Sequence, residues 1–303
     1  MIRYINLCNY SFELDLDCKR HECIYGYTSE NKKPDSIIIK CHIMEYCELM
    51  ELINSMFYLP DLNIFSGGGE KYYINVVRDL GIIVCSLIEK NITYISEVNG
   101  KIRASSGYMT FTVLKNHLNR YIFANGQIPI HAALLSSNKL QNAEGIIILG
   151  ESGAGKSTLC YSIHQELGYN ICSDDLIVFN PDKKEVYGYC QQFFLNEDMV
   201  HRYCLESACE KRNRKYGISV EENELKRIKQ VKIIYLKKNS EMQFITPHDL
   251  YNYVMNDAKI WCNTRKENEI YHKVYDLFET ANLIITGSYH YTDKILEVLK
   301  DES

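Results

Sequence analysis

The sequence lacks the patterns that mark several classes of protein. None of its 12 cysteines forms a CxxC pair, and the nearest pairs, Cys18/Cys23 and Cys204/Cys209, are not followed by a zinc-finger histidine pair. This spacing argues against structural zinc, and we expect reduced, mostly buried thiols. The formal net charge is -5, so the chain as a whole gives no basic signal for nucleic acid.

Long apolar runs are also missing. Stretches such as Ile82–Leu87 and Ile146–Leu149 are far too short to span a bilayer. Residues 1–17 lack the apolar core and small-residue cleavage site of a signal peptide. Hydrophobic residues make up 46% of the chain and charged residues 24%, which is ordinary for a globular protein. We expect a cytoplasmic protein that binds neither a membrane nor nucleic acid.

One local basic run, KRNRK at residues 211–215, departs from this balance. Runs of this kind usually form solvated surface. The alternative is a mobile lid or a contact for an acidic partner.

The first part of the chain is rich in the residues that favour strands. Ile, Val, Tyr and Phe recur in short runs separated by polar turns, a pattern typical of a pleated, half-buried surface. Strands are predicted at Ser36–Ile39, Tyr72–Val77, Gly81–Ile88 and Tyr108–Val113. One helix is predicted around Glu45–Met56. Residues 1–115 therefore predict a β-rich N-terminal domain. The chain contains 24 Tyr and 10 Phe, and two alternatives stay open for those of this region, a groove that binds a peptide and ordinary packing.

The second part alternates between the two kinds of element. Helices are predicted at Leu114–Asn125, Lys156–Leu167, Leu250–Ile260 and Lys294–Leu299. Strands are predicted at Ile128–Ser136, Gly145–Leu149, Ile171–Phe179 and Val231–Leu236, the third interrupted by Asp174-Asp175. This alternation predicts an α/β core over residues 116–303, and an α+β protein overall once the β-rich domain is included.

A glycine-rich loop lies between the strand at Gly145–Leu149 and the helix at Lys156–Leu167. It matches the pattern G-x-x-x-x-G-K-S/T in full, with Gly150, Glu151, Ser152, Gly153, Ala154, Gly155, Lys156 and Ser157, and Thr158 follows. Such a loop turns its backbone N–H groups toward phosphate oxygens, and the helix adds its positive end. Lys156 is expected to reach the phosphates, and the Ser157 hydroxyl to ligate Mg²⁺. The segment predicts a nucleoside triphosphate site.

Two further features accompany the loop. Asp174 and Asp175 are adjacent carboxylates after the helix that follows the loop. Neighbouring like charges raise one pKa, so one carboxylate can act as a base while the other holds metal. A solvated turn is the alternative. His131 lies on the strand before the loop strand, and a lone histidine of this kind is more often structural than catalytic.

These pieces together resemble one family. Ile130–Leu135, Gly145–Leu159 and Cys172–Asp175 are similar to the matching segments of HPr kinase/phosphorylase and its relatives. The relatives include serine kinases and kinases encoded beside peptide-tailoring enzymes, and the core also resembles ATP-dependent phosphoenolpyruvate carboxykinase. The resemblance is specific over residues 130–180 and continues more weakly to the end of the chain.

The resemblance implies roles for individual residues. It implies ATP as the nucleotide, with Mg²⁺ held by Ser157 and Asp175. It implies that Asp174 is the base that takes the proton from an acceptor hydroxyl, that His131 tunes Asp174, and that Lys156 assists transfer at the phosphates. It thus implies a P-loop kinase core of the HPr kinase/phosphoenolpyruvate carboxykinase type.

Two departures from HPr kinase itself bear on the acceptor. Thr158 stands where HPr kinase usually has Glu, and the downstream E-I/V-R-G-L-G signature has no counterpart. The GKSTL form and the β-rich N-terminal region are more similar to the relatives associated with peptide tailoring. The resemblance therefore implies phosphorylation of a serine-type hydroxyl on a peptide, a protein or a small molecule. The sequence leaves open whether the protein acts as a homo-oligomer.

Two other functions stay open at this point. One is a nucleotide-binding regulatory or sensor ATPase without an acceptor, although a pure sensor does not need the paired carboxylates. The other is a carboxykinase-like lyase, for which the sequence offers no clear second metal site. Candidates for the cation that stabilises the transferring phosphoryl group are Arg202, Arg212, Arg214 and Arg265.

Overall fold

A computed structural model describes most of the chain. The described residues are 1–15, 28–59, 64–67, 70–77, 82–87, 90–97, 117–137, 144–174, 176–188, 192–205, 209–212, 215–219, 226–238, 241, 243–258 and 267–301. The chain divides into two compact units. The first comprises Met1–Gly126 with Lys259–Lys266, and the second comprises Gln127–Ala258 with Glu267–Ser303.

The first unit is built on one mixed sheet. Its strands are β1 (Ile2–Leu7), β2 (Tyr10–Asp15), β3 (Ile37–Met44), β4 (Phe57–Leu59), β5 (Ile64–Gly67), β6 (Glu70–Val77), β7 (Ile82–Leu87) and β8 (Ile92–Glu97). Within the described ranges, eight strands pair in the order β1-β2-β3-β8-β7-β6-β5-β4. The β2–β3 and β3–β8 pairs are parallel, and the other pairs are antiparallel.

Helical segments cover both faces of this sheet. Helix α1 (Tyr46–Asn54) begins with a capping box between Glu45 and Glu48 and buries Leu49 against the side that carries Tyr94. The helical residues 117–124 place the Tyr121 hydroxyl 3.0 Å from the Thr93 hydroxyl. Successive strand residues face opposite sides, so the two helical segments lie on opposite faces.

A buried histidine makes the first unit sensitive to acid. Burial, and to a lesser degree the charge of Arg120, lowers the pKa of His117 from 6.5 to about 3. Between those values the unfolded chain binds a proton that the folded chain does not, so the free energy of unfolding falls as the pH drops. We expect a loss of about 2 kcal/mol between pH 7 and pH 5.

Urea unfolding at the two pH values tests this expectation. The His117→Phe variant is expected to lose this part of the pH dependence, whereas His290→Phe, at an exposed position, is expected to keep it. An unchanged pH dependence in His117→Phe would show that the histidine is not the cause.

The second unit contains three sheets within the described ranges. A six-stranded mixed sheet has the order β12-β10-β11-β19-β21-β20, a four-stranded sheet the order β18-β14-β13-β9, and a three-stranded sheet the order β15-β17-β16. The strands are β9 (Ile128–Ile130), β10 (Ala133–Ser136), β11 (Glu144–Gly150), β12 (Asn170–Ser173), β13 (Ile177–Asn180), β14 (Glu185–Gly188), β15 (Gln192–Leu195), β16 (Cys209–Arg212), β17 (Lys215–Ser219), β18 (Lys226–Ile228), β19 (Gln230–Leu236), β20 (Gln243–Phe244) and β21 (Ala281–Gly287).

The helices of the second unit lie on both faces of the six-stranded sheet. They are α2 (Lys156–Leu167), α3 (Glu197–Arg202), α4 (Pro247–Ala258), α5 (Glu267–Glu279) and α6 (Thr292–Asp301), with a 3-10 turn at Tyr289–Tyr291. Helices α2 and α6 share a core cluster with Ile234 of β19. The neighbouring Tyr235 faces the other side and contacts Tyr253 of α4. The parallel strands β11, β19 and β21 therefore lie in a middle layer, with helices on each side.

Two neighbouring chain segments pass together from the four-stranded to the six-stranded sheet. Strand β9 pairs with β13, and β10 pairs with β12, both antiparallel. Residues 128–130 therefore run beside residues 177–179, and residues 134–136 run beside residues 170–173. Both segments leave their ladders at the same place, after Ile130 in the first and after Ser173 in the second. The prediction of one continuous strand at Ile128–Ser136 is wrong, because its two halves belong to different sheets. The predicted interruption of the strand at Ile171–Phe179 is confirmed.

Most of the other predicted elements are present with shifted ends. The helix predicted at Lys156–Leu167 is confirmed with the same bounds, and the strand at Gly145–Leu149 extends by one residue at each end. The predicted strand at Tyr108–Val113 lies outside the described residues. The basic run at 211–215 covers the end of β16 and the start of β17. In the described part of the chain, every helix is too short or too polar to cross a membrane.

Candidate active site

The glycine-rich loop joins the end of β11 to the start of α2. Gly153 and Gly155 have φ angles of 76° and 95°, in the left-handed region that side chains other than glycine rarely adopt. Gly150 is required for a different reason. A Cβ placed on it would lie 2.9 Å from the Leu236 carbonyl oxygen of the neighbouring strand. The loop therefore depends on its glycines for both its turn and its close approach to β19.

The side chain of Lys156, the first residue of α2, points back into the glycine-rich loop. Its side chain is buried, and its Nζ donates hydrogen bonds to the carbonyl oxygens of Gly150 at 2.6 Å and Glu151 at 3.4 Å. A buried ammonium group needs such acceptors. The lysine thus holds a positive charge at the loop that anionic phosphate oxygens can attract.

The rest of the predicted nucleotide-binding segment surrounds this charge. Glu151, Ser152 and Gly153 are exposed, and Ala154 is buried. The Ala154 N–H donates to the Glu151 carbonyl at 3.0 Å, which closes a turn. Gly155 precedes α2, and Ser157 and Thr158 lie half-buried in its first turn. The loop therefore opens to solvent on the side of its exposed residues.

Asp174 lies against the start of α2. The Ser157 hydroxyl donates a hydrogen bond to Oδ1 of Asp174 at 3.0 Å. Asp174 directly follows β12, and the Ser173 hydroxyl closes the turn around it by donating to the Leu176 carbonyl at 2.5 Å. This bond satisfies a backbone group that has left the sheet ladder. Two residues predicted separately, the loop serine and the first carboxylate, are therefore in contact.

His131 lies in a chain break that neighbours the turn after β12. It is half-buried in the break between β9 and β10, not within a strand as predicted. Because Leu134 pairs with Ser173, the break that holds His131 runs alongside the turn that holds Asp174. Asp175 lies outside the described residues.

Sequence reasoning missed a tyrosine that contacts the site. The Tyr253 hydroxyl of α4 lies 2.6 Å from the His131 carbonyl oxygen and 2.9 Å from the Gly150 carbonyl oxygen. Its ring meets Tyr235 edge to face at 5.3 Å between centroids. The helical pattern of residues 250–260 predicted α4, but no local signal shows which of its tyrosines faces the loop.

Sequence reasoning also missed the two lysines that follow β19. Lys237 forms an ion pair with Asp249 at 2.8 Å. The hydrogen bond from Lys237, followed by that from Thr246, lowers the pKa of Asp249 to about 2. Lys238 instead extends to the loop, with Nζ 4.0 Å from the position of a Cβ on Gly153. Basic residues at the carboxyl end of a strand beside the loop strand are a signal that could have identified this pair.

Of the four arginines proposed from sequence, Arg202 is the one whose side chain lies within the described part of the chain. Arg202 is exposed at the end of α3 and lies over the Tyr203 ring at 5.5 Å. Arg212 ends β16, and its side chain is not among the described ones. Arg214 and Arg265 lie outside the described residues. Among the described residues, Lys238 is a candidate for a cation near the loop.

The donor set at the loop fits a magnesium–nucleotide complex better than a metal held by protein alone. The Ser157 hydroxyl and the Asp174 carboxylate supply the hard oxygen ligands that Mg²⁺ prefers, and Mg²⁺ usually takes its other ligands from phosphate and water. In the described ranges, no group of three or more His, Cys, Asp or Glu side chains is placed to hold a metal.

Comparisons with known proteins include a structural likeness of low score. No protein-family model matches the chain, and no curated protein matches it by sequence. Among solved structures, the Hpr(Ser) kinase/phosphatase from Coxiella burnetii is similar, with 19% sequence identity and a TM-score of 0.23. The match covers 39% of this chain and 64% of that protein, which is less than two thirds of its length. At this TM-score the likeness does not establish a shared fold.

Proposed function

We propose that this protein is an ATP-dependent kinase that transfers the γ-phosphoryl group to a serine-type hydroxyl on a peptide, a protein or a small molecule. The observation that carries the proposal is the 3.0 Å hydrogen bond between the Ser157 hydroxyl and Asp174. It joins the phosphate-binding loop to a carboxylate that can serve the transfer step. Binding a nucleotide needs only the loop, whereas transfer also needs a base or a metal ligand beside it.

The residues of the loop would bind and orient the triphosphate. The helix start and the Lys156 ammonium would hold the β- and γ-phosphates. Ser157 and Asp175 would hold Mg²⁺. When bound, Mg²⁺ neutralises charge on the β- and γ-phosphates. The protein's part is therefore mainly positioning and charge neutralisation.

Asp174 would accept the proton of the acceptor. The acceptor oxygen forms its bond to the γ-phosphorus, the bond from that phosphorus to the β–γ bridging oxygen breaks, and ADP leaves with the electron pair. The hydroxyl proton passes to the carboxylate. His131, in the neighbouring strand break, would tune that carboxylate as the resemblance implies. A general base contributes about 10²- to 10⁴-fold to such a step.

Lys238 would supply a second positive charge at the loop. Its ammonium lies beside Gly153, and cations at the transferring group stabilise the charge of its transition state. We expect Lys238→Met to lower the turnover number about tenfold, as for one charged hydrogen bond, with less effect on the dissociation constant of ATP. The control is Lys183→Met, at an exposed lysine in a turn of another sheet. Equal turnover in both variants would remove Lys238 from the site.

A transfer assay tests the proposed function. The protein is incubated with Mg²⁺ and γ-labelled ATP in the presence of lysate fractions, free serine or candidate peptides. Label on an acceptor, absent with Asp174→Asn, would support the kinase and identify its acceptor class. Tight ATP binding without transfer or hydrolysis would favour a nucleotide-gated binding protein instead. Stimulation of ATP turnover by oxaloacetate would favour a carboxykinase-like lyase.

A further inference from the structure

The Tyr253 hydroxyl bridges two segments that are distant in sequence. It lies 122 residues from His131 and 103 residues from Gly150, and it contacts the carbonyl oxygens of both. One carbonyl belongs to the strand break beside Asp174, and the other begins the phosphate-binding loop. Tyr253 itself is 8% exposed. A buried tyrosine hydroxyl normally has a polar partner, and here both partners belong to the site.

The Gly150 carbonyl lies within hydrogen-bond distance of two donors, and one of them, the Tyr253 hydroxyl, has a single hydrogen that it can give to Gly150 or to the His131 carbonyl. The Lys156 Nζ lies 2.6 Å and the Tyr253 hydroxyl 2.9 Å from the Gly150 carbonyl oxygen. If Lys156 turns toward phosphate, this carbonyl loses its charged donor. A buried carbonyl without any donor costs about 1–3 kcal/mol. The Tyr253 hydroxyl, 2.9 Å away, could then turn its hydrogen to the Gly150 carbonyl and reduce that cost.

The start of α4 is anchored independently of Tyr253. Thr246 and Asp249 form a reciprocal cap, with the Asp249 N–H on the Thr246 hydroxyl at 3.2 Å and the Thr246 N–H on the Asp249 carboxylate at 3.2 Å. Lys237 ties the same carboxylate to the end of β19. The helix therefore holds Tyr253 through contacts that do not pass through the loop.

We propose that Tyr253 is a positioning residue for the nucleotide. Its one hydroxyl hydrogen serves the His131 carbonyl while Lys156 donates to the Gly150 carbonyl, and it turns to the Gly150 carbonyl when Lys156 engages phosphate. This inference rests on the proposed function, because it requires that the loop bind a nucleotide. Tyr253 acts through Gly150, Lys156 and His131 and does not touch the reacting atoms.

The Tyr253→Phe variant tests the proposal, with Tyr251→Phe as its control. Tyr251 lies on the same helix, and its ring meets Tyr271 at 5.3 Å between centroids. Titration with ATP and Mg²⁺ is expected to show affinity lowered about two- to tenfold in Tyr253→Phe, the range for one neutral hydrogen bond. Amide hydrogen exchange over residues 150–156 is expected to accelerate in the absence of nucleotide. Tyr251→Phe is expected to match the wild type in both.

A double-mutant cycle with Lys156→Met separates positioning from general packing. If Tyr253 serves to release Lys156, its effect on ATP affinity should disappear once the ammonium is gone. A persistent effect in the Lys156→Met background, or wild-type affinity in Tyr253→Phe, would overturn the inference and leave the kinase proposal intact. Failure of the wild-type protein to bind ATP would overturn both.

Discussion

Replacing Asp174 with asparagine is expected to lower the rate of phosphoryl transfer by about 10²- to 10⁴-fold, the contribution of a general base. The amide keeps the size of the carboxyl group and can still accept the hydrogen bond from Ser157. It cannot take a proton. Single-turnover transfer from γ-labelled ATP measures the loss.

Nucleotide binding without metal separates this effect from damage to the loop. In EDTA, Asp174→Asn is expected to bind ATP as the wild type does, because the loop and Lys156 are unchanged. Asp182→Asn, in the exposed turn after β13, is expected to leave transfer unaltered. Transfer at the wild-type rate in Asp174→Asn would exclude Asp174 as the base.

Removing the ammonium group of Lys156 is expected to have the second large effect. The Lys156→Met variant keeps a long side chain but loses a charged hydrogen-bond donor, which is worth about 1.5–3 kcal/mol. ATP affinity is therefore expected to fall about ten- to a hundredfold. The stabilisation of the protein by saturating ATP in thermal unfolding should shrink accordingly.

The unfolding temperature without nucleotide provides the internal check on this variant. Methionine leaves no buried charge, so the fold itself is expected to tolerate the change. Lys183→Met, at an exposed position, is expected to keep the full response to ATP. An undiminished response in Lys156→Met would show that ATP does not bind at the loop.

Local chemistry explains which parts of the structure could be predicted. Helix α2 has its predicted bounds because both ends carry strong signals, the loop before Lys156 and Gly168 after Leu167. Gly168 has a φ of 73° and donates its N–H to the His164 carbonyl, as expected for a helix that ends at glycine. Strand β11 could be predicted for a similar reason, because a short apolar run indicates a strand covered on both faces.

Tertiary contacts explain what could not be predicted. No periodicity within residues 128–136 distinguishes one strand from two, because both halves are buried. The break at His131 is visible only when β13 and β12 are known to belong to different sheets. Tyr253 looks like any other tyrosine of α4 until Gly150 and Tyr235 are placed beside it.

Segments 128–136 and 170–180 pass side by side from one sheet to the other, and this arrangement determines where insertions and deletions would disturb the site. The spacing between Asp174 and the loop is set by the register of β10 and β12, and one residue along a strand corresponds to about 3.3 Å. An insertion or deletion in residues 133–136 would displace the site although none of those residues belongs to it. The turn at residues 181–184 connects β13 to β14 and lies outside these two segments. An insertion or deletion there would change the length of the hairpin, and the distance from Asp174 to Ser157 would stay the same.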